Sequence, residues 1–150
     1  MVFHVDDLKC SHVDPSVNDE FLIWLNKMYG EMSEVKAHRG KAHDYLGMKL
    51  DYSQSGKVKI DMRDYVKDML TSFPMDLNKT KAKTPADVNL FNFDDDDNEQ
   101  LDMKYKEIFP TTVAKGIFLA KRGRPDIQTT NAYLSTKVQA LTKNDWKKLI

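Results

Sequence analysis

The chain has 150 residues, 41% hydrophobic and 31% charged, a balance typical of one soluble globular domain with its own core. Lys plus Arg and Asp plus Glu number 23 each, so the net charge gives no sign of nucleic-acid binding, although cations can still gather on one face. Cys10 is the only cysteine, which excludes an internal disulfide, and no apolar run reaches membrane-spanning length. These features predict an intracellular protein outside any membrane.

The first predicted elements are two strands and a helix. Residues 2–13, "VFHVDDLKCSHV", predict a strand, a tight turn around the Asp-Asp pair, and a return strand. Asp14 and Pro15 then open a helix, with Asp14 as its N-cap, and Gly30 ends it. Apolar residues at helical spacing predict a buried stripe on this helix: Val17, Phe21, Trp24, Leu25 and Met28.

A short strand over 32–36 and a β-hairpin over 44–60 are predicted next. In the hairpin, "DYLGMKLDYSQSGKVKI", residues 53–56 predict the turn. Alternate apolar residues predict one face of the hairpin: Leu46, Met48, Leu50 and Tyr52. Asp61 predicts the cap of a second helix, which Pro74 ends.

The polarity and periodicity of the sequence change in the second half of the chain. Residues 75–100 are polar and aperiodic, carry an acidic run, and predict a linker. Helices are predicted over 101–108, 111–122 and 125–139, and from a capping box of Thr142 and Asp145 onward. The predicted fold class is α+β: a small antiparallel sheet with packed helices, then one more helix, then an all-helical C-terminal segment. Because a strand begins at once and a helix is cut at the end, we expect both ends to be truncated.

The Asp6-Asp7 pair is the first candidate for chemistry. Adjacent ionised carboxylates repel each other, and a divalent cation between strands neutralises them. Metal ions held by carboxylates are also the usual device for phosphoryl transfer to a nucleic-acid chain. A bare Asp-Asp dipeptide is equally common in solvated turns, so the pair alone does not decide between these interpretations.

Six stretches, taken in order, decide between them. They are "HVDD" (4–7), "DYLGMKLDYS" (44–53), "IDMRDYVKDMLTSF" (60–73), "TPAD" (84–87), "TTVAKGIFLAKRGRPDIQTTNAYLS" (111–135) and "DWKKL" (145–149). "HVDD" is similar to the "YxDD" box of reverse transcriptases. The later stretches resemble, in the same order, segments of copia-type (Ty1/copia) retrotransposon reverse transcriptases, so the resemblance covers nearly the whole chain.

The resemblance implies a role for each matching residue. Asp6 and Asp7 match the two carboxylates of the palm that help hold Mg²⁺ for RNA-directed DNA polymerisation. Leu46, Gly47 and Met48 match the primer-grip strand, where Gly47 lacks a β-carbon and allows close approach of a nucleic-acid backbone. The implied partners are an RNA/DNA primer–template and a deoxynucleoside triphosphate.

The resemblance also divides the chain. It implies a partial palm and thumb-like part over 1–74, a linker over 75–100, and a helical connection segment leading toward RNase H over 101–150. Arg63 and Lys67, on the polar face of the thumb-like helix, are then expected to contact phosphates. The implied location is intracellular: the cytoplasm, a virus-like particle or the nucleus.

Three departures from the family bear on activity. His4 replaces the usual Tyr, the third carboxylate lies in the family on a strand before this box, and the fingers that grip the triphosphate are absent. We therefore expect a polyprotein fragment that is inactive when isolated. The alternative is a degenerate or domesticated remnant that acts only as a nucleic-acid or protein-binding module.

Two smaller clusters remain. Cys10, His12 and His4 are spaced so that they would bind zinc only with a fourth ligand, and we interpret Cys10 as a small buried residue. A basic cluster lies beside the hairpin and consists of His38, Arg39, Lys41 and His43. This cluster either contacts nucleic acid or is an exposed loop without a ligand.

Overall fold

The computed structural model describes residues 1–5, 7–77, 82–92, 99 and 101–150. It is an α+β protein, as the sequence predicts, with a two-stranded and a three-stranded antiparallel sheet and several helices. The described residues fall into two compact units, Met1–Asp61 and Met62–Ile150. The first unit holds both sheets and one helix, and the second unit is helical.

The chain begins with a tight hairpin. Strands β1 (Val2–His4) and β2 (Asp7–Lys9) pair antiparallel, with His4 opposite Asp7, so the loop between them has two residues. The predicted strand, tight turn and return strand are present, but Asp7 lies in the return strand and not in the turn. The return strand ends at Lys9, earlier than the sequence suggests.

Helix α1 spans Pro15–Tyr29 and starts as predicted. The Asp14 carboxylate accepts a hydrogen bond of 2.9 Å from the backbone N–H of Ser16, and Pro15 occupies the first turn, where its missing N–H costs nothing. The predicted buried stripe is wrong, because no residue of α1 is buried, and Val17, Trp24 and Met28 have exposed fractions of 41%, 50% and 57%. Helical spacing identifies an apolar face but not whether anything covers it.

The second sheet joins β3 (Ala42–Tyr45), β4 (Met48–Asp51) and β5 (Lys59–Asp61) in the order β3-β4-β5. Side chains alternate between its faces, so Met48 and Leu50 are buried on one face. The other face carries charges in cross-strand register: Asp44 opposite Lys49, Lys49 opposite Asp61, and Asp51 opposite Lys59.

Two predictions near this sheet are wrong. Residues 32–36 form no strand, and the predicted single hairpin is a three-stranded meander. The additional reversal occurs at Leu46-Gly47, where both residues have positive φ. A glycine at the second loop position favours a two-residue turn, and this local signal overrides the apolar alternation that predicts a continuous strand.

The second unit contains α2 (Arg63–Thr71), α3 (Met103–Ala120), a 3-10 turn (Pro125–Ile127), α4 (Gln128–Ser135) and α5 (Lys143–Leu149). Its core consists of Leu101, Phe109, Val113, Leu134, Leu141 and Trp146. In the described part of the chain, no helix combines the length and apolar character needed to cross a membrane.

Helix boundaries in this unit differ from the predictions at three points. Pro110 lies inside one continuous helix, α3, whereas we predict a break there. The N-cap of α2 is Met62 rather than Asp61, and α4 ends at Ser135. The buried residues Phe109 and Val113 flank Pro110, so packing on both sides holds the helix together across the missing N–H. The capping box of Thr142 and Asp145 is confirmed.

The predicted linker is only partly described, since 78–81, 93–98 and 100 lie outside the described residues. The described part contacts the helices of its unit. Leu90 is 3% exposed, and Phe91 packs edge-on against Tyr133 with ring centroids 5.1 Å apart. Thr130 Oγ1 donates a hydrogen bond of 2.8 Å to the Pro85 carbonyl. Residues 85–91 are therefore attached to the helical core.

Candidate functional site

The second carboxylate of the Asp-Asp pair lies at the closed end of the β1–β2 hairpin. Asp7 is the first residue of β2, is exposed, and stands opposite His4 at the closed end of the hairpin. Asp6 lies outside the described residues. The hairpin therefore presents the Asp7 carboxylate to solvent, where a ligand can reach it.

The backbone beside this carboxylate is strained. Val5 has φ 49°, in the left-handed region that β-branched residues rarely adopt, at a cost of about 1–2 kcal/mol. A two-residue hairpin loop that follows the strand twist needs positive φ at its first residue. The tight loop thus imposes strain directly before the Asp-Asp pair, and strained backbone of this kind is frequent at functional sites.

Magnesium is the cofactor that the resemblance implies, and it prefers oxygen ligands such as carboxylates. Asp7 offers one. Within the described ranges, no group of three or more Asp, Glu, His or Cys side chains lies close enough together to hold a metal ion. These residues alone therefore do not fit a magnesium site, and the assignment of Asp6 and Asp7 as metal ligands stays a prediction.

The predicted primer-grip residues lie at the β3–β4 turn. Leu46 (φ 51°) and Gly47 (φ 72°) are the two loop residues, and Met48 begins β4 with an exposed fraction of 8%. The prediction that all three lie in one strand is wrong, because the chain reverses at the first two. The missing β-carbon of Gly47 serves the turn itself, and its role in admitting a nucleic-acid backbone stays a prediction.

Arg63 and Lys67 lie one turn apart on α2 and are both exposed. Their spacing puts the two side chains on one face of the helix. The structure thus brings these two predicted phosphate contacts together in the second unit. Asp7 and the Leu46–Met48 turn belong to the first unit, and the phosphate-binding role stays a prediction.

Aromatic rings and cations gather on the first unit, where the sequence shows only a basic cluster. His38 and His43 meet edge-to-face with ring centroids 5.9 Å apart, and His43 and Tyr52 do so at 6.1 Å. The Lys9 Nζ lies 5.0 Å from the centre of the Tyr52 ring, a cation–π distance. We call His38, His43, Tyr52 and Lys9 the His-Tyr cluster.

Backbone contacts hold the His-Tyr cluster in place. The His43 Nε2 lies 2.8 Å from the Gly40 carbonyl, which fixes the imidazole against its own loop. The Tyr52 N–H donates a hydrogen bond of 2.7 Å to the Lys41 carbonyl, so the pairing of β3 and β4 continues one residue beyond the strands. The cluster therefore lies at the end of β4 away from the Leu46-Gly47 turn.

The charged face of the three-stranded sheet holds a shallow cavity of about 270 Å³. Its lining mixes both signs, with Asp44, Lys49, Asp51, Lys59 and Asp61 among its residues. Hydrogen bonds from the side chain and backbone of Ser53, and then the charge of Lys59, lower the pKa of Asp51. Because cations and carboxylates alternate here, this face does not select a ligand of either charge.

The other sequence candidates act locally. Cys10 is half-buried rather than buried, and the His12 Nδ1 accepts a hydrogen bond of 3.0 Å from the Asp14 N–H at the start of α1. Arg124 binds both carboxylate oxygens of Asp126, at 2.8 and 2.7 Å. This pair lowers the pKa of Asp126 and raises the pKa of Arg124. Its position around Pro125 matches the predicted helix start.

Lys9 and Tyr52 are the site residues that sequence reasoning misses. They are 43 positions apart in the sequence, and the predicted hairpin assigns Tyr52 to an apolar face. One signal was present, since Lys9 follows Asp7 at the two-residue spacing that keeps side chains on one face of a strand. Its partner across the fold has no local signature.

Comparisons with protein-family models, with curated proteins and with solved structures find no match to this chain.

Proposed function

We propose that this chain is the palm-to-thumb and connection part of a copia-type reverse transcriptase, an RNA-directed DNA polymerase. The observation that carries the proposal is the two-residue hairpin at "HVDD", which puts Asp7 exposed at its closed end. A bare Asp-Asp dipeptide does not require this geometry. The ordered resemblance over the rest of the chain supports the same assignment.

The neighbouring elements add further support. An antiparallel sheet follows α1, and α2 after it presents Arg63 and Lys67 on one exposed face. Cations on one face of a helix suit phosphates, whose contacts supply affinity without reading sequence. In this proposal the partners are an RNA/DNA primer–template and a deoxynucleoside triphosphate, inside the cell.

The isolated chain is expected to be inactive as a polymerase. In the family, a third carboxylate from another strand helps the two carboxylates of this box to hold the metal. Two adjacent carboxylates repel each other and bind magnesium weakly by themselves. Asp6 and Asp7 would then act only within a longer polyprotein.

The test is binding of a labelled RNA/DNA hybrid with a recessed 3′ end, measured by fluorescence anisotropy over a salt series. We expect binding that weakens as salt rises, because cations on the protein displace counterions from phosphates. The double variant Arg63→Gln/Lys67→Gln should lower the salt slope by about 2, roughly 1 for each cation. Lys121→Gln, at the exposed residue that follows α3, serves as the control. No binding at low salt would contradict the proposal.

Primer extension on the same hybrid with Mg²⁺ tests the predicted inactivity. We expect no incorporation by the wild-type chain. Incorporation that disappears in Asp7→Asn would show that the chain is itself a polymerase, and would overturn the inactivity while supporting the family assignment. Hybrid binding without incorporation is expected both for a polyprotein fragment and for a remnant that only binds nucleic acid. The reading frame upstream of the Met1 codon distinguishes these two alternatives.

A further inference from the structure

We propose that the His-Tyr cluster binds an unpaired nucleotide of a single-stranded nucleic acid beside Asp7, by stacking a base on its rings and contacting the phosphate with Lys9. The inference rests on the proposed function, because it names the form of nucleic acid that reaches the site. Its basis is the contact between Lys9 and Tyr52. This contact joins the Asp7 hairpin to the aromatic row, which is the set of neighbouring rings of His38, His43 and Tyr52.

The aromatic row offers the surface that a base needs. His38 is exposed, and Tyr52 has an exposed fraction of 38%, so both rings meet solvent. His43 lies between them and is half-buried, with its ring near-perpendicular to that of His38 at 85°. Stacking on such rings is tolerant of sequence, because every base has a flat π-face.

The charge around the row favours a polyanion. Residues 36–61 contain six Lys and Arg against three Asp and no Glu, in a chain whose overall net charge is zero. Lys9 donates a hydrogen bond of 3.2 Å to Ser11 Oγ, a neutral partner that leaves its charge in place. Arg39 pairs with Asp19 on α1, whereas Lys9 contacts the Tyr52 ring, so Lys9 is the cation assigned to phosphate.

The position of Lys9 links the cluster to the candidate catalytic turn. Lys9 and Asp7 lie two residues apart in β2, on the same face and about 7 Å apart along the strand. That distance is about one nucleotide step in an extended strand. A nucleotide held by Lys9 and Tyr52 would therefore lie next to the one that Asp7 approaches.

The geometry favours an unpaired strand over a duplex. Bases in a duplex are stacked on each other and present only their edges and phosphates to a protein. An aromatic row contributes to binding only when a base leaves that stack. The cluster is thus expected to add affinity for single strands and for overhangs, and little for blunt duplexes.

The experiment compares the full chain with a labelled short oligodeoxythymidine, a blunt duplex of equal length, and the RNA/DNA hybrid, by fluorescence anisotropy at low salt. Tyr52→Ala should weaken oligodeoxythymidine binding by roughly 5- to 100-fold, and Tyr52→Phe should retain it, because the ring carries the effect. Lys9→Gln should lower the salt slope by about 1. Tyr29→Ala and Lys27→Gln, both on the exposed surface of α1, are the matched controls.

The outcomes separate this inference from the proposed function. If the hybrid binds but Tyr52→Ala and wild type bind oligodeoxythymidine equally, the inference is overturned and the proposed function stands. If oligodeoxythymidine binds through Tyr52 but Arg63→Gln/Lys67→Gln leaves the affinity for the hybrid and its salt slope unchanged, the inference holds and the proposed function fails. Binding to neither overturns both. The circular dichroism of Tyr52→Ala must match that of Tyr52→Phe, so that a loss of binding is not a loss of fold.

Discussion

At the scale of single residues, the hairpin loop holds Val5 in a backbone conformation that its β-branched side chain disfavours. The loop requires positive φ, and a β-branched residue resists it. We expect Val5→Gly to raise stability by about 1 kcal/mol, because glycine adopts this conformation without strain. Thermal unfolding and amide exchange in β1 and β2 measure the change.

Val13→Gly is the matched control for Val5→Gly. Val13 is fully exposed and its φ is not positive, so glycine there only increases the freedom of the unfolded chain. That variant should be neutral or slightly destabilised. Equal effects of the two substitutions would mean that Val5 is not strained.

Gly116 is a second residue with a specific requirement. It is buried in α3, and a β-carbon built there would overlap the side-chain amide of Asn131, which donates a hydrogen bond of 2.9 Å to the Ile127 carbonyl. We expect Gly116→Ala to destabilise the second unit by about 1–3 kcal/mol, despite the better helix propensity of alanine. Urea unfolding measures this.

Two further variants show whether the Asn131 amide causes the loss. Thr111→Ala, at an exposed position of the same helix, should cost little. Adding Asn131→Ala to Gly116→Ala removes the overlapping group and should recover part of the loss. A double variant no better than Gly116→Ala would contradict the steric explanation.

At the scale of elements, the cap of α1 makes the helix sensitive to acid. Hydrogen bonds from the backbone N–H and then the side chain of Ser16 lower the pKa of Asp14. Because the folded pKa is the lower one, the contribution of the cap is complete above the unfolded pKa of about 3.9 and is lost as the pH falls through the folded value.

The comparison with Asp14→Asn isolates this titration. Asparagine caps a helix nearly as well and does not ionise, so the variant should lose less stability than wild type as the pH falls below about 4. The difference between the two unfolding midpoints, followed by circular dichroism against pH, is the measurement. A difference that does not change with pH would mean that the carboxylate does not form the cap in solution.

Elements that depend on a few neighbouring residues were predictable from the sequence. The Asp14-Pro15 start, the Thr142–Asp145 capping box and the tight turn before Asp7 are of this kind. Elements that depend on packing were not. Pro110 predicts a helix break that the packing of α3 overrides, and the contact between Lys9 and Tyr52 joins segments that share no local pattern.

At the scale of the whole molecule, buried apolar surface is unequally distributed. Of the twelve buried hydrophobic residues in the described part of the chain, Met48 and Leu50 belong to the first unit and the others to the second. Most of the stability that apolar burial provides therefore belongs to the helical unit. The first unit keeps a broad exposed apolar surface on α1 and β1.

The two tryptophans test this distribution, because each unit contains one. Trp24 is 50% exposed, and Trp146 is 7% exposed within the core of the second unit. In the single-tryptophan variants, we expect Trp24 to emit at longer wavelength and to be quenched more strongly by acrylamide than Trp146. Equal quenching would show that the apolar face of α1 is covered in solution.

The single cysteine has a practical consequence. Cys10 directly follows Lys9, whose ammonium group contacts Tyr52, and it is half-buried. A thiol-reactive fluorophore or spin label therefore attaches at one known place on the wild-type chain, with no residue to remove first. Because Cys10 is next to Lys9 and three residues after Asp7, that label reports on the Asp7 hairpin and on ligands that bind beside Tyr52.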